Sequence, residues 1–293
     1  MLPRWSRAVT HLCKSAGIRS NIENSRYRDF SVFSCRGFAK VADARVIDDG
    51  AEDASAVRSQ VNLNKMFWSK PCSLALPADS PIRFEERKYT GIKHIMMKLM
   101  LAYSKESRSI ERANVIYRRV VYHVDPPAIY DVFNLEKTFR TNFSLLVLHM
   151  WLILHRLKEE GDEAADLAQN LYEIYNHDVE LRVYNAGVNL LLARWMKELE
   201  KIFYGSVAAY EAALVPEAKQ DELQNALFRN VFAEEGVSIE DALHEVQAMS
   251  RYVRREIACM SLTEKEAILS GNFLFTQFDN VVPLSGQHGE THN

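Results

Sequence analysis

Hydrophobic positions in this chain fall into helical periods from about residue 91 onward, and into no sustained period before it. In "IKHIMMKLMLAYS", Ile92, Ile95, Met96, Leu99 and Leu101–Ala102 lean to one side. In "IERANVIYRRVVYHV", Ile110, Ala113, Ile116, Tyr117, Val120 and Val121 share a face, with Glu111, Arg112, Arg118 and Arg119 opposite. "DPP" at 125–127 interrupts the pattern, and a proline at the first helical position suits a restart. Leu192, Trp195, Met196, Leu199, Ile202, Phe203, Ser206 and Tyr210 recur at the spacing of one long amphipathic helix that exits at Pro216. Its small stretch "GSVAA", 205–209, predicts close approach by another helix. "SIED" (238–241) and "TEKE" (263–266) have the form of capping boxes. The first opens a segment with Leu243, Val246, Met249, Val253 and Ile257 in register. Alternating runs of convincing length are missing.

"FSLLVLHMWLILHRL", 143–157, is the most apolar stretch. Spanning a bilayer takes about 20 apolar residues in helical form; here the run from Phe143 to Leu154 is interrupted by Ser144 and His149, and "KEEGDE" follows. Placed at 100° per residue, it is apolar nearly all round, with two narrow polar strips, Ser144 with His155 and His149 with Arg156. Such a helix packs on several sides. The prediction is all-α: a multi-helix bundle around a central apolar helix at about 143–158, with the helical domain at 91–275. His149 is then expected as a hydrogen-bonded core histidine, since His155 lies on another strip and HExxH is absent.

Charge distribution adds a second region. Residues 1–40 carry eight Lys or Arg against Glu23 and Asp29, so this head is +6 while the whole chain is −3 and the remainder −9. The head is rich in Arg and Ser, "PRWSRAVTHLCK" can form a basic amphipathic face, and no continuous apolar core of a secretory signal occurs. A disordered N-terminal targeting region, a mitochondrial transit peptide over 1–40, is the expectation; the head alone leaves a chloroplast destination open. Residues 41–90, with three prolines in "KPCSLALPADSP", read as a largely irregular linker, and 276–293 as a disordered tail. The body's net negative charge argues against DNA. The four cysteines, Cys13, Cys35, Cys72 and Cys259, form no CxxC pair and suggest neither a disulfide framework nor a zinc site.

Candidate chemistry is sparse. "NHDVELR" gathers His177, Asp178, Glu180 and Arg182, from which an acid–base pair for a helical hydrolase can be drawn, though a solvated face is the simpler reading. Gly-rich phosphate loops and GxSxG are missing. Arg108, Arg112, Arg118 and Arg119 form a helix-borne basic run that can meet RNA, a ribosome or acidic headgroups, or stay solvated beside Glu106 and Glu111.

Two segments together carry a resemblance: "FSLLVLHMWLILHRLKEEGDEAADLAQNLYEIYNHDVELRVYNAGV" (143–188), and "FYGSVAAYEAAL" (203–214) followed by "LFRNVF" (227–232). With "IYRRVVYHVDPPAIYDVFNLEKTFRTNF" upstream, the chain resembles the ubiquinol–cytochrome c chaperone family over about 92–235. Ser144 stands where family members often keep an acidic residue or glycine, and 215–240 differs freely. The resemblance implies a non-enzymatic, all-helical assembly factor for respiratory complex III. It would bind newly synthesised cytochrome b on the matrix side of the mitochondrial inner membrane, with a small partner protein, near the mitochondrial ribosome. The residues themselves point to no cofactor, no metal and no transmembrane segment, with peripheral membrane contact allowed; the competing assignment is an RNA- or ribosome-binding translational activator. A holder of apolar clients needs adaptable apolar surface. Met66, Phe67 and Trp68, in an expected loop, and Met96, Met97 and Met100 are candidates for it, with Arg112, Arg118, Arg119, His149, Asp178 and Arg182 as further interface candidates.

Overall fold

The computed structural model describes residues 63–85, 105–188, 190–233 and 237–278. The expected targeting head, the segment holding Met96, Met97 and Met100, and residues 279–293 of the expected tail lie outside the described residues. The first residues of that tail, 276–278, are packed, with Phe278 buried and Thr276 bonded to Glu256, against the expectation of disorder there.

The described chain is all-α, as the periodicity predicts. Its helices are α1 (Lys105–Val124), α2 (Pro127–Val132), α3 (Phe139–Glu159), α4 (Ala165–Asn185), α5 (Leu192–Ala212), α6 (Glu222–Leu227), α7 (Leu243–Ser261) and α8 (Lys265–Ser270). Single turns of 3-10 helix lie at Leu63–Lys65 and Gly161–Ala164, and a π-helical turn, Phe228–Phe232, extends α6. Pro127 starts α2 as expected.

The apolar stretch is α3, and it is the pillar of the body. Leu145, Leu146, Leu148, Met150 and Trp151 have no exposure on any side, because α1, α4, α5 and α7 all touch this helix. Its start was not legible as a cap. Thr138 accepts from the Thr141 amide at 3.2 Å while the Thr141 hydroxyl accepts from the Thr138 amide at 2.9 Å, a reciprocal box built from two threonines. α1 and α4 run parallel: Ser109 pairs with Asn170, Tyr117 with Asp178, and Arg182 with Asp125 just beyond α1.

Several faces differ from the sequence pattern. Ile110, in the second turn of α1, and Leu243, the first residue of α7, are exposed, whereas His123 and Val115 of α1 are buried. Arg119 turns off the solvated face to donate to the Gly271 carbonyl at 3.0 Å and the Ile82 carbonyl at 2.6 Å. The "SIED" residues form their reciprocal bonds, with the Ser238 amide donating to Asp241 at 2.9 Å, but in a turn ahead of α7, whose N-cap is Ala242 without a side-chain cap, and "TEKE" forms no box. Thr263 is drawn away from a cap: its hydroxyl donates to the Cys259 carbonyl at 2.8 Å and accepts from the Leu74 amide at 2.9 Å.

That last bond belongs to a strap. Residues 66–85 run as turns and extended chain, and their middle is zipped to the segment that follows α8 by an isolated antiparallel bridge, Ala75 to Phe273. The Leu76 amide donates to the Asn272 carbonyl and the Leu274 amide to the Leu74 carbonyl, at 2.9 and 3.1 Å. The Asn272 side chain holds both backbone groups of Phe84.

Gly205, expected at a close helix approach, faces open space; the close approach is at Gly271, the left-handed cap of α8 at φ +72°. A Cβ there would lie 2.7 Å from Val115 Cγ1 and 3.1 Å from the Ile116 amide nitrogen. Gly271→Ala therefore combines left-handed backbone strain of about 1–2 kcal/mol with overpacking of about 1–3 kcal/mol. The expected outcome is a fall of about 2–5 kcal/mol in urea-unfolding stability. Adding Val115→Ala should return only part of the overpacking cost, since the Ile116 contacts at 3.1 and 3.2 Å remain.

Candidate functional site

Three arrangements account for the polar and aromatic side chains that sequence reasoning singled out, and for several it missed.

The first surrounds His149, which is fully buried. His149 Nδ1 lies 2.8 Å from the Leu145 carbonyl, and Nε2 lies 2.9 Å from the Tyr252 hydroxyl. His123 Nε2 lies 2.9 Å from the same hydroxyl. A carbonyl only accepts, so His149 carries its proton on Nδ1 and its Nε2 accepts from Tyr252. The single hydroxyl proton is then used, and His123 Nε2–H donates to the Tyr252 oxygen. Three helices thus share a directional chain, His123 to Tyr252 to His149, walled by Phe67, Phe133, Phe275 and Phe278. Burial pushes the His149 imidazole from 6.5 down to about 4. Burial and the neighbouring His149 hold His123 well below its ordinary value. His149 is the hydrogen-bonded core histidine the pattern predicts. Its partners come from α1 and α7, and no local motif announces them. With all three groups enclosed, no reacting atom can reach them, and their chemistry is that of a neutral core brace.

The second arrangement corrects the reading of "NHDVELR" as a solvated face. His177 and Glu180 do lie exposed, but Asp178 and Arg182 turn inward. Arg182 grips Asp125 through both Nη atoms at 3.0 Å, Asp178 through Nε at 2.6 Å, and the Asn142 side-chain oxygen at 3.0 Å. Tyr117 donates to Asp178 at 2.6 Å, and Asn142 donates to Tyr130 at 2.8 Å. Burial opposes the Arg182 charge, and the two carboxylates more than restore it. This knot ties α1, α3 and α4 at one end of the bundle, with every named group satisfied.

A third network braces α3 against α5. Glu211 accepts from Trp151 Nε1 at 3.0 Å and contacts His155 Nδ1 at 2.8 Å, with Lys158 at 3.4 Å. Burial works against the Glu211 charge, yet these donors bring its carboxyl down to about 2.

The candidate interface residues are scattered by the fold. Phe67 stacks on Phe133 at 5.9 Å and helps wall the histidine pair, and Met66 packs against the core, so neither is free surface. Trp68 is 71% exposed, with the Arg251 guanidinium 5.2 Å from its ring centre. Arg251 also donates to the Leu63 carbonyl at 2.6 Å and so clamps this turn. Arg112 faces Glu266 at 3.5 Å, Arg118 donates to its own helix, and Arg119 holds the strap and α8.

Sequence reasoning missed a run of exposed apolar side chains at the junction of α4 and α5. Leu181 and Tyr184 project from the last turns of α4. Leu190 is 100% exposed and Leu191 54%, and Val188, Leu192, Trp195 and Met196 are partly buried behind them. The signal was present in "NLLLARWM", but its helical register was read as core.

Among the described residues, no helix is long and apolar enough to cross a membrane, and no three metal-capable side chains gather.

The comparisons with known proteins agree with this architecture. The family model described as Ubiquinol-cytochrome C chaperone matches residues 131–276. That match starts later than the resemblance traced from sequence segments and runs through α7 and α8. The chain is 24% identical over 249 residues to human ubiquinol-cytochrome c reductase complex assembly factor 1, covering 83% of this chain and 81% of that protein. It is 24% identical over 152 residues to the mitochondrial protein CBP3 of Saccharomyces cerevisiae, covering 50% of this chain and 43% of that one. The crystal structure of the Cbp3 homolog from Brucella abortus superposes with a TM-score of 0.53 at 27% identity, over 64% of this chain and 99% of that chain. Through residues 131–276, the chain belongs to the ubiquinol–cytochrome c chaperone family.

Proposed function

We propose that this protein is an assembly chaperone for respiratory complex III in the mitochondrion. The observation that carries this reading is the human relative, named as a complex III assembly factor and matched over most of both chains. The finer reading is that it holds newly made cytochrome b on the matrix side of the inner membrane, beside a small partner protein and within reach of the ribosome. The three polar arrangements support holding in place of reaction, since each is enclosed or fully satisfied.

Such a holder binds by removing apolar surface from water. We place the client-contacting surface at Leu181, Tyr184, Leu190 and Leu191, with Trp68 as a separate exposed anchor, because these project beyond the core's demand. Met96, Met97 and Met100 remain candidates for the same role.

Tagged protein recovered from gently solubilised mitochondria is expected to bring cytochrome b with it. Burying a leucine contributes about 1.5–3 kcal/mol, and about 1.4 kcal/mol is tenfold in affinity. Leu190→Ser with Leu191→Ser should therefore reduce recovery at least tenfold while helicity stays unchanged. Full recovery by the double variant would move the contact elsewhere. Normal complex III in a deletion strain would defeat the assembly role itself.

A further inference from the structure

Two cysteines 187 residues apart in sequence meet in the fold. Cys72 lies in the strap and Cys259 near the end of α7, and the Cys72 amide donates to Cys259 Sγ at 3.4 Å. Since N–Cα is about 1.46 Å, the Cα of Cys72 lies within about 5 Å of the Cys259 sulfur, which makes the two cysteines direct neighbours. The backbone around Cys72 is pinned on both sides: Ser69 accepts from Arg255 Nε at 3.1 Å and Leu74 donates to Thr263 at 2.9 Å. Arg255 Nη2 also approaches Cys72 Sγ at 3.9 Å. Cys72 is exposed and Cys259 is buried.

We infer that Cys72 and Cys259 form a reversible thiol–disulfide site whose oxidant is a small-molecule disulfide such as oxidised glutathione. The exposed Cys72 thiolate attacks one sulfur of the oxidant, forming a mixed disulfide and releasing one small thiol. Cys259 then loses its proton and attacks the Cys72 sulfur, forming the internal bond and releasing the second small thiol. Two protein thiols are oxidised by two electrons, and one small disulfide is reduced to two thiols. The order follows from access, because only Cys72 can meet a reagent from solution. Burial raises the Cys259 thiol, which keeps it inert until the mixed disulfide is delivered next to it. The bond ties the strap, with the Phe67 wall of the histidine chamber, to α7. Nothing in the assembly reading requires this site, and it stands independently of that role.

The test uses the full chain with Cys13→Ser and Cys35→Ser, leaving Cys72 and Cys259 as its thiols. After native incubation with oxidised glutathione, both thiols should disappear with no glutathione retained. Unreduced peptide mapping should show the peptides of residues 72 and 259 joined. Adding Cys259→Ser should trap one glutathione on Cys72, and adding Cys72→Ser should leave Cys259 unreacted. A glutathione left on Cys72 beside a free Cys259, found after quenching in denaturant and alkylation, overturns the inference. So does joining that proceeds equally well in urea, because the folded geometry would then contribute nothing.

Discussion

Acidification from pH 6.5 to pH 4 is expected to destabilise the helical body through His123 and His149, before most carboxylates protonate. In the folded chain His149 resists protonation down to about 4, while the unfolded chain takes the proton near 6.5. Between these values the unfolded state binds more protons, so stability is present above 6.5 and is lost as pH falls toward 4. Each histidine held neutral costs about 1.4 kcal/mol per pH unit within its window. His123 is lowered in the same direction, by burial first and then by His149, so the two add. Glu256 works in the opposite sense. Burial raises its carboxyl, overcoming its bonds from Thr276, and that contribution grows as pH falls. Glu211, brought down to about 2, weakens the fold only below the usual glutamate range, and so acts in a lower window. Urea unfolding measured at intervals from pH 7.5 to pH 2 separates these effects. His149→Gln should flatten the upper window while leaving the Glu211 window in place. An unchanged slope in that variant would mean that His149 is hydrated or protonated inside the fold.

Trp151→Ala is expected to lower stability by about 3–5 kcal/mol, the range for deleting a fully buried large aromatic side chain. Domain stabilities run about 5–15 kcal/mol, so this single change removes a large share. Trp151 has no exposure and its ring centre lies 4.8 Å from that of Tyr210 on α5. The truncation leaves a cavity where α3 meets α5, and Glu211 loses one of its donors. Trp151→Phe keeps most of the ring contact and loses only the N–H donor, so its cost should be clearly smaller. Chemical denaturation of the three proteins checks both statements. A loss below about 1.5 kcal/mol for the alanine variant would place this side chain outside a tightly packed core, against the account of α3 as a shielded pillar.

The elements were legible where one physical rule governs many residues at once. A helix touched on all sides has to be apolar all round, and α3 announced itself in that way. The α5 face was readable from Leu199 through Tyr210, because burial there follows the 3.6-residue period. At the start of the same helix, Leu192, Trp195 and Met196 keep that period although they are only partly buried, and periodicity cannot tell a core face from a surface that awaits a partner. The candidate site was less legible for a related reason. "NHDVELR" showed charges, but only the parallel placement of α1 beside α4 turned Asp178 and Arg182 inward to meet Asp125 and Tyr117.

The amino-acid sequence by itself determined the fold class, the central helix and its enclosed histidine, and the family, because each rests on local periodicity or on an ordered series of segments. Tertiary structure alone decided the partners: Tyr252 between two histidines, Arg119 on the strap, Thr263 drawn from a cap to Leu74, Cys72 beside Cys259, and Gly271 against Val115. The reason is separation along the chain. Apart from the Arg119 bond to Ile82, 37 positions away, these contacts join residues more than a hundred positions apart, and nothing in the local pattern of either end encodes the other.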